Sequence, residues 1–154
     1  MKRIAGRLVC LATVAAALPG LCMADDGDPA GLWKSIDDQS GKPKALIRIT
    51  ESSGEYRGRI EKLFPADGVE PQALCAKCEG ALKDQPIVGM TIITGMKRDG
   101  SDAGLYGSGQ ILDPANGKTY RSRMTLADGG KKLQVRGYIG TPLLGRTQVW
   151  LREP

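Results

Sequence analysis

From Thr119 to Arg152 the chain alternates between apolar and polar residues in three short runs, Thr119–Leu126, Lys132–Ile139 and Arg146–Arg152. In the first, Tyr120, Ser122, Met124 and Leu126 share one face, and Thr119, Arg121, Arg123 and Thr125 the other. In the second, Leu133, Val135, Gly137 and Ile139 oppose Lys132, Gln134, Arg136 and Tyr138. Successive side chains leave a pleated backbone on opposite sides, so a period of two predicts half-buried strands. Asp128-Gly129-Gly130 and Gly140-Thr141-Pro142 separate the runs, and glycine after Asp supplies the positive φ that a tight turn needs. The region is therefore predicted to be an antiparallel meander.

Upstream, the same pattern predicts strands at Gly31–Ile36, Lys44–Thr50, Glu55–Phe64, Ile87–Lys97 and Leu105–Leu112. Ala45, Ile47 and Ile49 face one way on the second of these. On the third, Tyr56, Gly58 and Ile60 alternate with Arg57, Arg59 and Glu61. The connections are short and turn-rich, with one exception. Pro65–Pro86 carries Pro65, Pro71, Pro86, Cys75 and Cys78 and has little periodicity, so at most a helical turn is predicted within Pro71–Leu82. Eight strands joined by short turns favour up-and-down antiparallel order. The expected fold class is all-β, a single eight-stranded antiparallel up-and-down barrel with one long loop after the third strand. Closure removes exposed edges and leaves an interior that is packed or holds one small ligand. A two-sheet sandwich is the alternative with the same periodicity.

The first 24 residues change the charge picture. Lys2, Arg3 and Arg7 precede an uncharged apolar run, Leu8–Leu18; Pro19-Gly20 follows, then Cys22-Met23-Ala24. This is the form of a secretory signal peptide cleaved after Ala24, with an apolar run too short to span a bilayer. A lipoprotein anchor at Cys22 is the rival, disfavoured by Leu21 before it. Removing three basic residues and no acidic one lowers the formal charge from +5 to +2. So small a charge does not predict a nucleic-acid partner. Residues 25–154 are expected to form one domain, periplasmic or secreted, without stable membrane insertion. The chain has no histidine, which excludes Ser/His/Asp and Cys/His catalysis and histidine metal sites.

Cys75-Ala76-Lys77-Cys78 is the sharpest local motif. In an oxidising compartment the two cysteines are expected to pair as a structural staple; thiol–disulfide exchange, helped by Lys77, and metal capture are the alternatives. Asp37-Asp38 before Ser40-Gly41, and Asp113 before Asn116-Gly117, read as capped turns rather than as acid/base pairs or calcium loops. Arg121, Arg123, Arg136, Arg146 and Arg152 are expected on a solvated outer face. Any that turn inward could hold the acidic head of an amphipathic ligand. Ile47, Ile49, Tyr56, Ile60, Ile92, Tyr120, Met124, Leu133 and Val135 form the candidate ligand-lining face. Seven aromatic residues and many strand glycines leave few bulky fillers, which favours a hollow interior.

Several motifs occur in order: Gly31-x-Trp33, Asp37-Asp38-x-Ser40-Gly41-Lys42, Cys75-x-x-Cys78-x-Gly80, Lys83-Asp84-x-Pro86-x-x-Gly89-Met90 and Asp113-Pro114-x-Asn116-Gly117-Lys118-x-Tyr120. Val135-Arg136-Gly137-Tyr138-Ile139-Gly140 and Leu144-Gly145-Arg146-Thr147-Gln148-x-Trp150-x-Arg152 follow. Together, from about Gly31 to Arg152, they resemble a bacterial family of exported proteins known only as a domain of unknown function. The resemblance implies a lipocalin-like (calycin) barrel and brings no catalytic residues. Lipocalin-like proteins often set the indole of a Gly-x-Trp under an arginine of the last strand, which implies that Trp33 packs with Arg146 or Arg152 at the barrel base. The expected function is non-catalytic binding of a small apolar or amphipathic molecule, with no cofactor and no metal, and Pro65–Pro86 as the portal loop. A thiol–disulfide or metal-handling role through the cysteine pair is one alternative; an envelope interaction module using the arginine-bearing face is the other.

Overall fold

A computed structural model describes residues 27–65 and 73–154. The segment expected to be a signal peptide lies outside these residues, as do Pro71 and the neighbouring part of the long loop. Eight antiparallel strands follow one another around a closed barrel: β1 (Gly31–Ile36), β2 (Pro43–Ser52), β3 (Glu55–Leu63), β4 (Thr91–Arg98), β5 (Leu105–Asp113), β6 (Lys118–Ala127), β7 (Lys132–Tyr138) and β8 (Gly145–Glu153). Each pairs with its sequence neighbour, and β1 pairs with β8, where Trp33 stands opposite Arg152. The sandwich alternative is thereby removed. Among the described residues the closed sheet leaves no strand edge for another chain to extend.

Most predicted strand boundaries shift by one or two residues, and one shifts further. The fourth strand begins at Thr91 rather than Ile87. Ile87–Met90 is instead a turn, with Met90 N–H donating to the Ile87 carbonyl and Gly89 at a φ of 92°. In the described part of the long loop the only helical structure is a 3-10 turn, Gly80–Leu82.

The up-and-down order gives the barrel two unlike ends. At one, the β2–β3, β4–β5 and β6–β7 turns meet the segment Gly27–Ala30, which is tied across the opening. Trp33 Nε1–H donates to the Pro29 carbonyl at 2.8 Å, and the Tyr106 hydroxyl donates to the Gly27 carbonyl at 2.8 Å. Above this base the interior is filled by Trp33, Ile49, Met96, Tyr106, Met124 and Leu133, all fully buried. Burial of each such large side chain contributes about 1.5–3 kcal/mol. At the other end, the β1–β2, β5–β6 and β7–β8 turns and the long loop surround an opening.

Candidate functional site

The opening leads into a cavity of about 570 Å³. That is within the ~300–1,000 Å³ range of small-molecule sites. Its walls are the inward faces of the strands: Ala45 and Ile47 from β2, Ile60 from β3, Ile92 from β4, Ile111 from β5 and Val135 from β7. Trp150 of β8 is both cavity lining and buried core, and Ser35 is the polar residue of the β1 wall. The Ser35 hydroxyl is satisfied locally, donating to the Ala45 carbonyl at 3.3 Å and accepting from the Ala45 N–H at 3.1 Å. The wall around Ser35 is therefore apolar or already hydrogen-bonded, which suits an apolar body, since an unpaired polar group beside it would be costly.

Of the candidate lining residues, Ile47, Ile60, Ile92, Tyr120 and Val135 do line this cavity. Ile49, Tyr56, Met124 and Leu133 do not: they are buried nearer the base, where Tyr56 packs edge-on against Tyr106 with ring centroids 5.0 Å apart. Both groups share the inward face. A period of two records the side of the sheet and carries no information about depth along the barrel axis. Trp150, Ile111 and Gln148, absent from the expected set, complete the wall. Trp150 and Gln148 lie on the same face of β8 as Arg146 and Arg152, and this alternation was the available signal.

The mouth is more polar. Lys44, Asp113, Asn116, Tyr120, Tyr138 and Arg146 border it. Asn116 Nδ2 donates to Asp113 Oδ2 at 3.1 Å and to the Tyr120 hydroxyl at 3.0 Å. Arg146 reaches across to the β1–β2 turn and grips Asp38 through two nitrogens, Nε donating to Oδ2 at 2.7 Å. This pairing holds the Asp38 carboxyl below the usual carboxylate range. Asp37 is likewise held low, first by the Ser40 N–H and then by the Ser40 hydroxyl, in the capped turn that the sequence predicted. Beside the mouth, Ile139, Leu143 and Leu144 are 68%, 89% and 71% exposed. Their loop is tied by Arg136, whose Nε donates to the Pro142 carbonyl and Nη1 to Thr147 Oγ1.

The two candidate base arginines separate. Arg152 lies over the Trp33 ring, 4.3 Å from its centroid, and donates to the carbonyls of Gly130, Ala30 and Asp28. Gly31 allows this approach: its φ is 139°, and a Cβ there would sit 2.9 Å from Arg152 Nη1. Arg146 is not a base residue; six positions earlier on the same face of β8, it is at the mouth with Asp38. Nor are Arg146 and Arg152 simply on a solvated outer face, as first expected. Arg121, by contrast, is exposed.

Cys75 and Cys78 form a disulfide within the long loop, and the two residues are only 0% and 3% exposed. Their turn packs on the β5–β6 turn, with Cys75 Sγ 3.5 Å from the Pro114 carbonyl. At Gly117 an added Cβ would fall 1.9 Å from the Lys77 carbonyl oxygen, and φ is 72°. The disulfide turn thus braces Pro114–Asn116, which form part of the cavity rim. Among the described residues, no cluster of three or more His, Cys, Asp or Glu side chains is placed to hold a metal ion, and no helix is long and apolar enough to cross a membrane.

A closed up-and-down barrel of eight strands, capped at one end beneath a tryptophan–arginine stack and hollow at the other, defines the lipocalin-like class. Protein HP1028 from Helicobacter pylori, described as belonging to the lipocalin family, has a similar structure: the TM-score is 0.69 over 82% of this chain and 84% of that one. At 17% identity the likeness is one of fold. The chain belongs to the DUF2147 family, described as an uncharacterized protein conserved in bacteria, whose pattern matches residues 31–152. No curated protein is significantly similar to it.

Proposed function

We propose that this protein is a non-catalytic binding protein for a small apolar or amphipathic molecule, acting in the periplasm or outside the cell after its leader is removed. The observation that carries the reading is the open apolar cavity between Ile47, Ile60, Ile92, Ile111 and Val135. The lipocalin-like fold is consistent with it, because a barrel of this size encloses room for one small ligand. Against a thiol-exchange role stands the burial of both half-cystines, since exchange needs an accessible sulfur.

The test uses N-phenyl-1-naphthylamine, a neutral apolar fluorophore. Its emission should rise on mixing with the purified protein. The rise should disappear in Val135→Trp, which fills the cavity, and shrink in the milder Ile60→Phe, with circular dichroism confirming that both variants fold. An undiminished signal in the folded filled variants, or no signal with the native protein, defeats the proposal.

A further inference from the structure

We infer that the mouth of the cavity selects an anionic head group, so that the ligand is a monoanionic amphiphile with its tail inward. The inference rests on the binding role proposed above and adds the chemistry of the head.

It follows from counting which hydrogen-bonding groups at the cavity are already engaged. The acceptors are answered by the protein itself. Asp113 Oδ1 accepts from the Ala115 N–H at 3.0 Å, and Oδ2 from Asn116. Asn116 Oδ1 accepts from the Lys118 N–H at 2.8 Å. These contacts fix the orientation of the Asn116 amide, because a backbone N–H can only donate and an ionised carboxylate can only accept. Gln148 Oε1 accepts from Trp150 Nε1–H at 3.4 Å. Both Asp38 oxygens are taken by Arg146.

The donors are left over. Tyr120 oxygen accepts from Asn116, which leaves its own O–H proton to give. The Tyr138 hydroxyl and the Gln148 amide nitrogen have no hydrogen-bond partner among the described residues, and both residues line the cavity. Lys44 has none either. It is a lining cation whose ammonium lies within ion-pair distance of no described acid, although Asp37 and Asp38 feel its charge from farther off. Asp113 has no ion-pair partner among the described residues, but its oxygens are turned to Ala115 and Asn116. The remaining spare donors, one of them the Lys44 ammonium, above an apolar chamber are complementary to a group that only accepts and carries negative charge. A carboxylate and a sulfate meet that description equally.

Four dodecyl compounds, each below its micelle concentration, distinguish the possibilities by displacing N-phenyl-1-naphthylamine from the intact protein: dodecanoate, dodecyl sulfate, dodecanol and dodecylammonium. At least one anion should displace the dye at a concentration roughly ten- to hundredfold below that of dodecanol, the scale of one hydrogen bond to a charged group. Lys44→Gln should close most of that gap and Tyr120→Phe part of it. Lys131→Gln, at the base end, should leave it unchanged. An advantage confined to dodecanoate identifies a carboxylic amphiphile; an advantage shared with dodecyl sulfate identifies any single anion. Dodecanol matching both anions, dodecylammonium exceeding them, or a gap that survives Lys44→Gln overturns the head-group inference while leaving the cavity reading intact. If none of the four displaces the dye, both fail.

Discussion

Arg146 and Arg152 lie on one face of β8, and alternation treats them alike, yet their surroundings differ completely. Arg152 gives hydrogen bonds to three carbonyls and stacks on a buried indole. Arg146 pairs with a single carboxylate in water, where ion pairs add little. In urea denaturation Arg152→Ala should therefore lose about 2–4 kcal/mol, from charge-assisted hydrogen bonds and the cation–π contact together. Arg146→Ala should barely move the midpoint. Tyr56 offers a test with the opposite pH sense from an acidic pair. Burial, then the nearby charge of Asp28, push its hydroxyl from 10.0 up to about 12. Because the folded value is the higher one, the fold favours the neutral phenol. That stability is fully present below pH 10 and is lost as pH rises from 10 to about 12. Stability measured across this window should fall less steeply in Tyr56→Phe than in the native protein. The side of the sheet taken by each of these residues was legible from alternation. Which end of the barrel it occupied was not, because depth depends on strand tilt and register with neighbouring strands.

Between β3 and β4 the alternation ends, and the segment is organised by cross-links instead. An isolated bridge joins Leu74 to Pro86, the disulfide closes a short turn, and Lys83 Nζ donates to the Ala76 carbonyl. Gly117 supplies the matching surface on the β5–β6 turn. Gly117→Ala should therefore destabilise the protein and shift the NMR signals of Lys77 and Cys78 together with those of Asn116; shifts limited to the neighbours of residue 117 in sequence would contradict the packing. The double substitution Cys75→Ser and Cys78→Ser should cost about 2 kcal/mol, since a bond closing so short a loop removes little unfolded-chain entropy. The cysteine spacing made the staple legible. The surface it braces was invisible, because Gly117 looks like any hairpin glycine until the chain some forty residues earlier is laid against it. The early start assigned to β4 has a similar origin: Ile87 and Val88 are strand-forming residues, but Gly89 takes a positive φ and the chain turns there.

At the scale of the whole molecule, the barrel is solid at one end and hollow at the other. Amides of β1, β6 and β7 near Trp33, Met124 and Leu133 should exchange with solvent most slowly, and those facing the cavity near the mouth faster, giving a gradient along the axis in hydrogen-exchange measurements. Uniform protection would imply that the upper barrel is as firmly packed as the base. Strand number and order were legible because the turns are short. The scarcity of bulky fillers favoured a hollow but did not say where it lies, because Ile47 above and Ile49 below are the same residue type on the same face, and only the packing of the closed barrel decides which meets a neighbour and which meets a void. The seam between β1 and β8 has a further consequence, for the order of events during synthesis. The first strand to emerge finds its second partner only when the last one is complete, and the arginine that holds Ala30 and Asp28 arrives with it. A nascent chain can form hairpins as it appears, but it cannot close the ring or seal its floor until the end, and such long-range pairing is slow. A chain stopped at residue 144 should accordingly remain unfolded by circular dichroism instead of settling into a seven-stranded barrel, and until the final strand arrives the growing chain exposes two open sheet edges to whatever escorts it.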